Sequence, residues 1–167
     1  MRTGLITIFC FITLFGSAQM DSVPSANQKV LEYVNTQIGK RVKTGICFDL
    51  VAGALNYATP GWDKRLKKIG VFKKKYNYVY GKDIKKEELR SGDVICFDWT
   101  DATKKSKIKT SHVCIVYSID KNGNVMVAEQ NADGASISKT KVGVNKFDPT
   151  GDDVRINILN LKFYRPY

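Results

Sequence analysis

The spacing of the hydrophobic residues changes about halfway along the chain. In the first half, Val30, Val34 and Ile38 recur at every fourth position, which predicts an amphipathic helix with one buried face. Residues 47 to 58 carry a broader apolar stripe, as expected for a helix that is buried on most sides. Thr59-Pro60-Gly61 follows and predicts the end of this second helix.

From residue 91 onward, the apolar residues occur in short runs bounded by turn residues, a pattern typical of β-strands. The predicted strands cover residues 94 to 97, 112 to 119, 125 to 130, 137 to 142 and 156 to 163. Between the helices and the strands, a basic piece at residues 62 to 69 is interpreted as helical. Because helices precede strands, we predict an α+β domain in which N-terminal helices pack on a mostly antiparallel sheet.

The N-terminal segment has the organisation of a secretory signal peptide. Arg2 precedes an uncharged apolar run at residues 5 to 15, and small residues follow at Gly16-Ser17-Ala18. The run is shorter than the ~20 apolar residues that a bilayer-spanning helix needs. We therefore predict a signal peptide at residues 1 to 18 and a single domain at residues 19 to 167, secreted or periplasmic and without a transmembrane anchor. The alternative, a buried N-terminal helix, is disfavoured because the run is not amphipathic.

The chain is strongly basic, with 27 Lys and Arg residues against 16 Asp and Glu residues and a formal net charge of +11. The lysines are spread along the chain, with a dense run at residues 104 to 109. Such a field attracts polyanions in general, so anionic wall polymers or a membrane surface are candidate partners. No aromatic-and-basic motif of a nucleic-acid module is present, and we predict no specific nucleic-acid partner. Plain solubility explains the charge equally well.

Four cysteines and a single histidine limit the chemistry that the chain can carry. Cys10 lies in the predicted signal peptide, so three cysteines remain, and an odd number leaves at least one thiol outside any intramolecular disulfide. Cys96 and Cys114 lie within apolar runs, where we favour two buried thiols over a bridge. Without a CxxC pair or a second histidine, we predict no metal or cofactor site.

Cys47 lies where a loop enters the second predicted helix. The positive end of a helix dipole lowers the pKa of a thiol at such a position and increases the fraction of reactive thiolate. His112, the only imidazole of the chain, stands at the start of a predicted strand after a polar loop. A Cys–His pair is the minimum apparatus for thiol catalysis, so we predict Cys47 as nucleophile and His112 as its base. Taken singly, each residue also fits a purely structural role.

The predicted hairpin gives His112 two candidate partners. Asn122-Gly123 suits a two-residue type I′ turn, which would place Val116 opposite Glu129. Alternation along the strands then brings His112, Glu129 and Asn131 to one face, with Asn131 the nearer of the two to the imidazole. Either side chain could accept a hydrogen bond from the second ring nitrogen and fix its tautomer, and a bulge would change the choice.

Four short motifs occur in series along the chain. They are Gly45-Ile46-Cys47-Phe48-Asp49-Leu50, Ser91-Gly92-Asp93-Val94-Ile95, Ser111-His112-Val113-Cys114-Ile115-Val116 and Glu129-Gln130-Asn131. In order and spacing, they resemble the motifs of the cysteine, histidine-dependent amidohydrolase/peptidase (CHAP) family, and the resemblance covers nearly all of the predicted mature domain. The related NlpC-type peptidases share the cysteine-on-helix, histidine-on-strand plan and are the nearest alternative family.

The resemblance implies a papain-like α+β fold and cleavage of amide bonds, most often in peptidoglycan. It suggests Cys47 as nucleophile, His112 as base and Glu129 as the residue that orients the imidazole, with Asn131 as a further polar residue of the site. Some relatives carry an acidic calcium-binding loop just before the cysteine. Residues 40 to 44 are basic here, so we predict no calcium at that place.

The leading hypothesis is an exported cysteine amidase or endopeptidase that cleaves amide bonds, in peptidoglycan or another amide-containing polymer, through a thioester intermediate. One alternative is a non-catalytic module that binds polyanions or cell wall through its basic surface, although a pure binder need not keep a complete Cys, His and acid or amide set. Another is an acyl transferase or deamidase, since transfer and hydrolysis pass through the same thioester.

Overall fold

The structure is a computed structural model, and it describes residues 23–65, 68–72, 75–101, 110–131, 141–147 and 156–167. The predicted signal peptide, the lysine-rich run at residues 104 to 109 and most of the predicted strand at 137 to 142 lie outside the described residues. Within the described part of the chain, no helix combines the length and the apolar character that are needed to cross a membrane.

Helix α1 spans Ser25–Gln37 and helix α2 spans Cys47–Ala58, close to the two predicted helices. The strands are β1 Lys68–Phe72, β2 Lys75–Tyr78, β3 Lys82–Ile84, β4 Val94–Asp101, β5 Thr110–Ile119, β6 Val125–Glu129, β7 Gly143–Lys146 and β8 Ile156–Arg165. Short 3₁₀ turns occur at Asp63–Arg65 and Lys86–Glu88.

Among the described residues, six strands form one sheet in the order β3-β8-β4-β5-β6-β7, and each neighbouring pair is antiparallel. Helix α2 packs against β5, and α1 packs against α2. The predicted α+β class, with N-terminal helices on an antiparallel sheet, is confirmed.

The helical interpretation of residues 62 to 69 is wrong. This segment forms a 3₁₀ turn at Asp63–Arg65 and then enters β1, which pairs with β2 in a separate hairpin. The sequence of the hairpin is rich in Ile, Val, Phe and Tyr, which favour extended backbone. This preference outweighs the basic residues that suggested a helix.

The core between the helices and the sheet is built around α2. The side chains of Leu50, Val51, Ala54 and Leu55 are almost completely buried and pack with those of α1 and β5. Burying a Leu or Val side chain stabilises a fold by ~1.5–3 kcal/mol, so α2 is anchored along most of its length. The first residue of the helix is thereby held in a fixed place relative to β5.

Alternate residues of β5 point to opposite faces of the sheet. Val113 and Ile115 join the core with the helices, whereas Cys114 and Val116 join a second apolar cluster on the other face. Cys96 pairs with Val113 and packs with the first core. No disulfide joins Cys96 to Cys114, which confirms the preference for two thiols over a bridge. Cys114 is buried as predicted, whereas Cys96 is only half-buried.

The Ser91-Gly92-Asp93 motif ties α1 to the sheet. The Asp93 side chain is fully buried and accepts hydrogen bonds from Asn27 Nδ2 at 2.7 Å and from Arg165 Nε and Nη2 at 3.2 and 3.1 Å. The N–H of Arg90 donates to the same carboxylate at 2.8 Å. A buried carboxylate is tolerated when it is paired and hydrogen-bonded, so this motif has a structural role that joins α1, β4 and β8.

The hairpin between β5 and β6 does not use the predicted two-residue turn. The N–H of Asp120 donates to the Asn124 carbonyl, and that of Gly123 donates to the Asp120 carbonyl, both at 3.0 Å. Gly123 has φ +80°, and the Asp120 carboxylate accepts the backbone N–H groups of Asn122 and Asn124. A loop that ends on a left-handed glycine is longer by one residue than a type I′ turn.

The register of this hairpin therefore differs from the prediction. The longer loop shifts the pairing by one residue, and an irregularity between Val116 and Ser118 shifts it by one more, so Val116 pairs with Val127 instead of Glu129. A one-residue slip exchanges the two faces of a strand, and a two-residue shift restores them. His112 and Glu129 consequently keep a shared face, but Glu129 lies closer to His112 along the strands than predicted.

Gly92 and Gly123 offer a matched test of the close packing at the Asp93 motif. Both have positive φ, but a Cβ at Gly92 would lie 2.6 Å from the Asn27 carbonyl oxygen, whereas one at Gly123 would meet nothing within 4 Å. We expect Gly123→Ala to lower the free energy of unfolding by ~1–2 kcal/mol, and Gly92→Ala to lower it by ~3 kcal/mol or more. Urea denaturation measures both losses, and equal losses would contradict the close approach of α1 to this turn.

Candidate active site

Cys47 is the first residue of α2 and lies at the positive end of the helix dipole. Ile46 occupies the N-cap position and provides no side-chain cap, so the first N–H groups of the helix lack an ordinary capping partner. The backbone N–H groups of Phe48 and Val113 hydrogen-bond to the Cys47 sulfur. This environment favours the thiolate over the neutral thiol.

The loop before α2 has a tightly bent backbone. Lys43 has φ +45° and Gly45 has φ +90°. Asp49, in the first turn of α2, accepts a hydrogen bond from the N–H of Thr44 at 2.9 Å and another from the Thr44 hydroxyl. The loop and the first turn of the helix are thus joined into one hydrogen-bonded unit around the thiol.

His112 lies on β5 and is held on both sides of its ring. Its Nε2 lies 2.9 Å from Glu129 Oε2, and the ring also hydrogen-bonds to Cys47, which leaves Nδ1 as the nitrogen that faces the sulfur. The side chains of His112 and Glu129 are 7% and 12% exposed, so both are largely shielded from water. The structure therefore brings together Cys47, His112 and Glu129, three of the four predicted site residues.

Aromatic rings pack beside the imidazole. Phe97 pairs with His112 between β4 and β5, and the two ring centroids are 5.4 Å apart. Phe147 packs in turn on Phe97 at 5.9 Å. Because protein interiors are densely packed, these rings leave the imidazole little room to rotate away from its hydrogen-bond partners.

The thiol and the imidazole favour an ion pair. Burial alone would raise the pKa of Cys47, but the hydrogen bond and charge of His112, followed by the N–H groups of Val113 and Phe48, lower it. Burial alone would lower the pKa of His112, but its contacts with Cys47 and Glu129 raise it to about 9. The arrangement therefore favours a thiolate beside an imidazolium, the form in which a thiol attacks a carbonyl.

Asn131, the fourth predicted site residue, makes no hydrogen bond to the imidazole through its Oδ1. It follows β6 with φ +60°, and within the described part of the chain its Oδ1 is buried without a hydrogen-bond partner. The register explains the difference. With the pairing shifted by two residues, Glu129 takes the diagonal position that was predicted for Asn131 and reaches His112.

Asn145 extends the hydrogen-bond network of Cys47, His112 and Glu129 by one residue, and the sequence did not predict this role. Its Nδ2 donates to Glu129 Oε1 at 3.0 Å. Asn145 pairs with Val127, so it lies diagonal to Glu129 on the neighbouring strand. β7, at Gly143–Lys146, lies just after the strand predicted at residues 137 to 142 and was not itself predicted. The short run Gly-Val-Asn-Lys has too little hydrophobic alternation to predict a strand.

Gln130 was also missed, although it belongs to the Glu129-Gln130-Asn131 motif. Its side chain is 1% exposed. Its Nε2 donates to the Ile46 carbonyl at 2.6 Å and to the Val42 carbonyl at 3.3 Å, and its Oε1 accepts the Val42 N–H at 3.2 Å. These partners lie 84 and 88 residues earlier in the chain, so no local pattern could have predicted the contacts.

A cluster of aromatic rings borders the thiol. Phe48 and Tyr78 are half-buried, with ring centroids 4.9 Å apart, and Tyr80 lies 6.3 Å from Tyr78. Burial raises the pKa of the Tyr80 hydroxyl, and the nearby Cys96 and Cys47 sulfurs raise it further. Tyr80 therefore lies in the buried layer close to the thiol, while Phe48 and Tyr78 provide apolar surface that water can reach.

A family model matches residues 14–150 of the chain; the family is Amidase_6, described as "Putative amidase domain". The chain belongs to this amidase family. No curated protein and no solved structure matches the chain. Membership in the amidase family agrees with the predicted class of amide hydrolase. A specific relation to the CHAP family stays a prediction that rests on the four motifs.

Thiol labelling tests the ionisation of Cys47 directly. Burial raises the pKa of Cys114 well above its usual value, whereas the pKa of Cys47 is lowered. At mildly acidic pH, we expect iodoacetamide to modify Cys47 at least ~10-fold faster than Cys114 or Cys96, because the thiolate is the reactive form. Peptide mapping by mass spectrometry measures the rates, and His112→Ala should remove the advantage of Cys47. Equal rates at all of these thiols in the wild type would contradict an activated Cys47.

Proposed function

We propose that the protein is an exported cysteine amidase or endopeptidase that cleaves amide bonds in peptidoglycan through a thioester intermediate. The observation that carries the proposal is the buried His112 imidazole, which bonds to Cys47 on one side and lies 2.9 Å from Glu129 Oε2 on the other. Membership in an amidase family supports the reaction class. The motifs that resemble the CHAP family support the cysteine mechanism and the wall substrate.

The reaction begins with the Cys47 thiolate, whose proton resides on His112. The sulfur attacks the amide carbonyl and forms a tetrahedral intermediate, whose negative oxygen requires hydrogen-bond donors. Backbone N–H groups at the start of α2, including that of Cys47, lie beside the sulfur and can act as these donors. The His112 imidazolium then gives its proton to the departing nitrogen, and a thioester remains on Cys47.

Water completes the cycle. Neutral His112 takes a proton from the water molecule that attacks the thioester, and the thiol is released together with a carboxylic acid product. Glu129 stabilises the imidazolium in both half-reactions and fixes the tautomer that directs Nδ1 toward the sulfur. Asn145 holds the second oxygen of the Glu129 carboxylate and so limits its rotation.

The proposed location is outside the cytoplasm, either secreted or periplasmic. The predicted signal peptide at residues 1 to 18 supports export. The excess of Lys and Arg over Asp and Glu, most of it outside the predicted signal peptide, supports attraction to anionic wall polymers, which would concentrate the protein near its proposed peptidoglycan substrate. Hydrolysis within the wall requires no metal or cofactor in this mechanism, since the thiol and the imidazole supply the chemistry.

Digestion of purified peptidoglycan tests the substrate and the mechanism together. We expect the wild-type protein to release soluble fragments, whose masses identify the cleaved bond. Cys47→Ala and His112→Ala should each lower the rate by ~10³-fold or more, because each removes an essential partner of the thiolate–imidazolium pair. Cys96→Ala is the matched control, since it removes a thiol of β4 that has no role in this mechanism, and it should retain most of the activity.

Three outcomes would contradict different parts of the proposal. If the wild type releases no fragments, peptidoglycan is rejected as the substrate. If Cys47→Ala releases the same fragments at the same rate, the cysteine mechanism is rejected. If the products carry a new acyl acceptor in place of water, the protein is a transferase that uses the same thioester.

The pH dependence of kcat/KM follows from the Cys47–His112 pair. Activity should rise with pH as Cys47 loses its proton. This rise should occur at a lower pH than for an ordinary thiol, because the pKa of Cys47 is lowered. It should fall as His112 loses its proton at a pKa of about 9, because the departing nitrogen then lacks a proton donor. Glu129→Gln removes a charge that helps to raise the His112 pKa, so the alkaline limb should move to lower pH. Initial rates across the acidic to alkaline range measure both limbs, and an unchanged alkaline limb in Glu129→Gln would contradict the role given to Glu129.

A further inference from the structure

We propose that Gln130 is a positioning residue that aims the backbone N–H of Cys47 at the negative oxygen of the tetrahedral intermediate. The inference rests on the proposed function, because it assigns a role within thiol catalysis. Gln130 directly follows Glu129 at the end of β6, and its side chain is 1% exposed. A buried side-chain amide is costly unless its donors and its acceptor are satisfied, and here the backbone of the loop before α2 satisfies them.

The amide of Gln130 clamps both ends of that loop. Its Oε1 accepts the Val42 N–H, and its Nε2 donates to the Val42 carbonyl at the start of the loop. The same Nε2 donates to the Ile46 carbonyl at the end of the loop at 2.6 Å, the shortest of these contacts. The left-handed residues Lys43 and Gly45 lie between the two ends, so the clamp holds a backbone shape that is unfavourable for most sequences.

The hydrogen bond to Ile46 fixes the direction of the Cys47 N–H. The Ile46 carbonyl and the Cys47 N–H belong to one planar peptide unit, and in a trans peptide they point in opposite directions. The peptide bonds of the described residues are trans. Because Gln130 draws the carbonyl toward itself, the Cys47 N–H must point away from Gln130.

The Ile46 carbonyl is also held from the side of the helix. The N–H of Asp49 donates to it at 3.0 Å, so one oxygen receives hydrogen bonds from both the first turn of α2 and Gln130. No side chain caps α2 at Ile46. The clamp by Gln130 therefore takes the place of a cap in fixing the first peptide units of the helix, including the unit that carries the proposed oxyanion donor.

Two consecutive residues at the end of β6 thus act on the two reacting groups. Successive side chains along a strand point to opposite sides, and Glu129 reaches His112 while Gln130 reaches the loop that leads to Cys47. Glu129 influences the transfer of the proton. Gln130 influences the stabilisation of the oxyanion and leaves the ionisation of the thiol unchanged.

Two reactions of the Cys47 sulfur separate these influences. Attack on p-nitrophenyl acetate forms a tetrahedral oxyanion, which collapses to an acetyl thioester and p-nitrophenolate. Attack on iodoacetamide forms a carbon–sulfur bond at a saturated carbon, releases iodide and passes through no oxyanion. A residue that serves only the oxyanion donor should therefore affect the first reaction and spare the second.

The test variant is Gln130→Met, which keeps the length of the buried side chain but lacks the amide. We expect the rate of acylation, measured by p-nitrophenolate release, to fall by ~10-fold or more, because a misdirected N–H stabilises the oxyanion less. The rate of alkylation at Cys47, measured by peptide mapping, should change by less than ~2-fold, since the Cys47–His112 pair is intact.

Asn56→Leu is the matched control. Asn56 makes amide-to-backbone hydrogen bonds near the other end of α2, to the Ala52 carbonyl at 3.0 Å and from the Asp63 N–H at 3.2 Å. Its replacement should leave the ratio of acylation to alkylation unchanged. Circular dichroism establishes that each variant is folded. If Gln130→Met is unfolded, Gln130→Glu replaces it, because Glu keeps the size and removes the donor to Ile46, and the same fall in the ratio is expected.

Equal losses of both rates in the Gln130 variants would overturn the inference, because they would indicate damage to the Cys47–His112 pair as a whole. Unchanged rates would overturn it as well. Neither probe reaction uses peptidoglycan, so rejection of the wall substrate leaves this test intact. A wild-type protein that is alkylated at Cys47 but never acylated there would reject the cysteine mechanism together with the role of Gln130.

Discussion

A protonated imidazole in the interior must be compensated by nearby negative charge, and this requirement governs the centre of the molecule. His112 is 6% exposed, so water does little to solvate its charge, and the Cys47 thiolate and the Glu129 carboxylate compensate it instead. Cys47 approaches the ring from the helix side, and Glu129 approaches it from the neighbouring strand. The packing of α2 against β5 brings these groups together, so the hydrophobic core and the reactive pair depend on the same interface.

Apolar packing and hydrogen bonds have separate tasks around this pair. Burial of the α2 stripe sets where the helix lies, but the hydrophobic effect is non-directional and does not set the rotation of a single peptide group or carboxylate. The directions are set by amide side chains, with Gln130 acting on the loop before Cys47 and Asn145 acting on Glu129. These amides bond to partners that lie 84 and 16 residues away in the chain, which is why a single sequence gave no sign of them.

The sequence predicted the parts of the structure that depend on local patterns. The helical spacing of apolar residues located α1 and α2. The turn residues around Cys47 and His112 then indicated that Cys47 begins a helix and that His112 lies near the start of a strand. The register of the β5–β6 hairpin was not predictable in this way, because it depends on how the Asp120 carboxylate organises the turn and on the irregularity that follows Val116. The two one-residue differences cancel in which face the side chains share, but together they bring Glu129 one step closer to His112 along the strands than predicted.

The order of the strands has a consequence for when the molecule can fold. Strand β8 is the last of the described strands in the sequence, yet in the sheet it lies between β3 and β4. Its Arg165 is also the cationic partner of the buried Asp93. Until residues 156 to 165 have been synthesised, β3 and β4 lack a neighbour and Asp93 lacks its counterion. The sheet would therefore remain incomplete until β8 emerges, and its closure would come only after the other described strands have been synthesised.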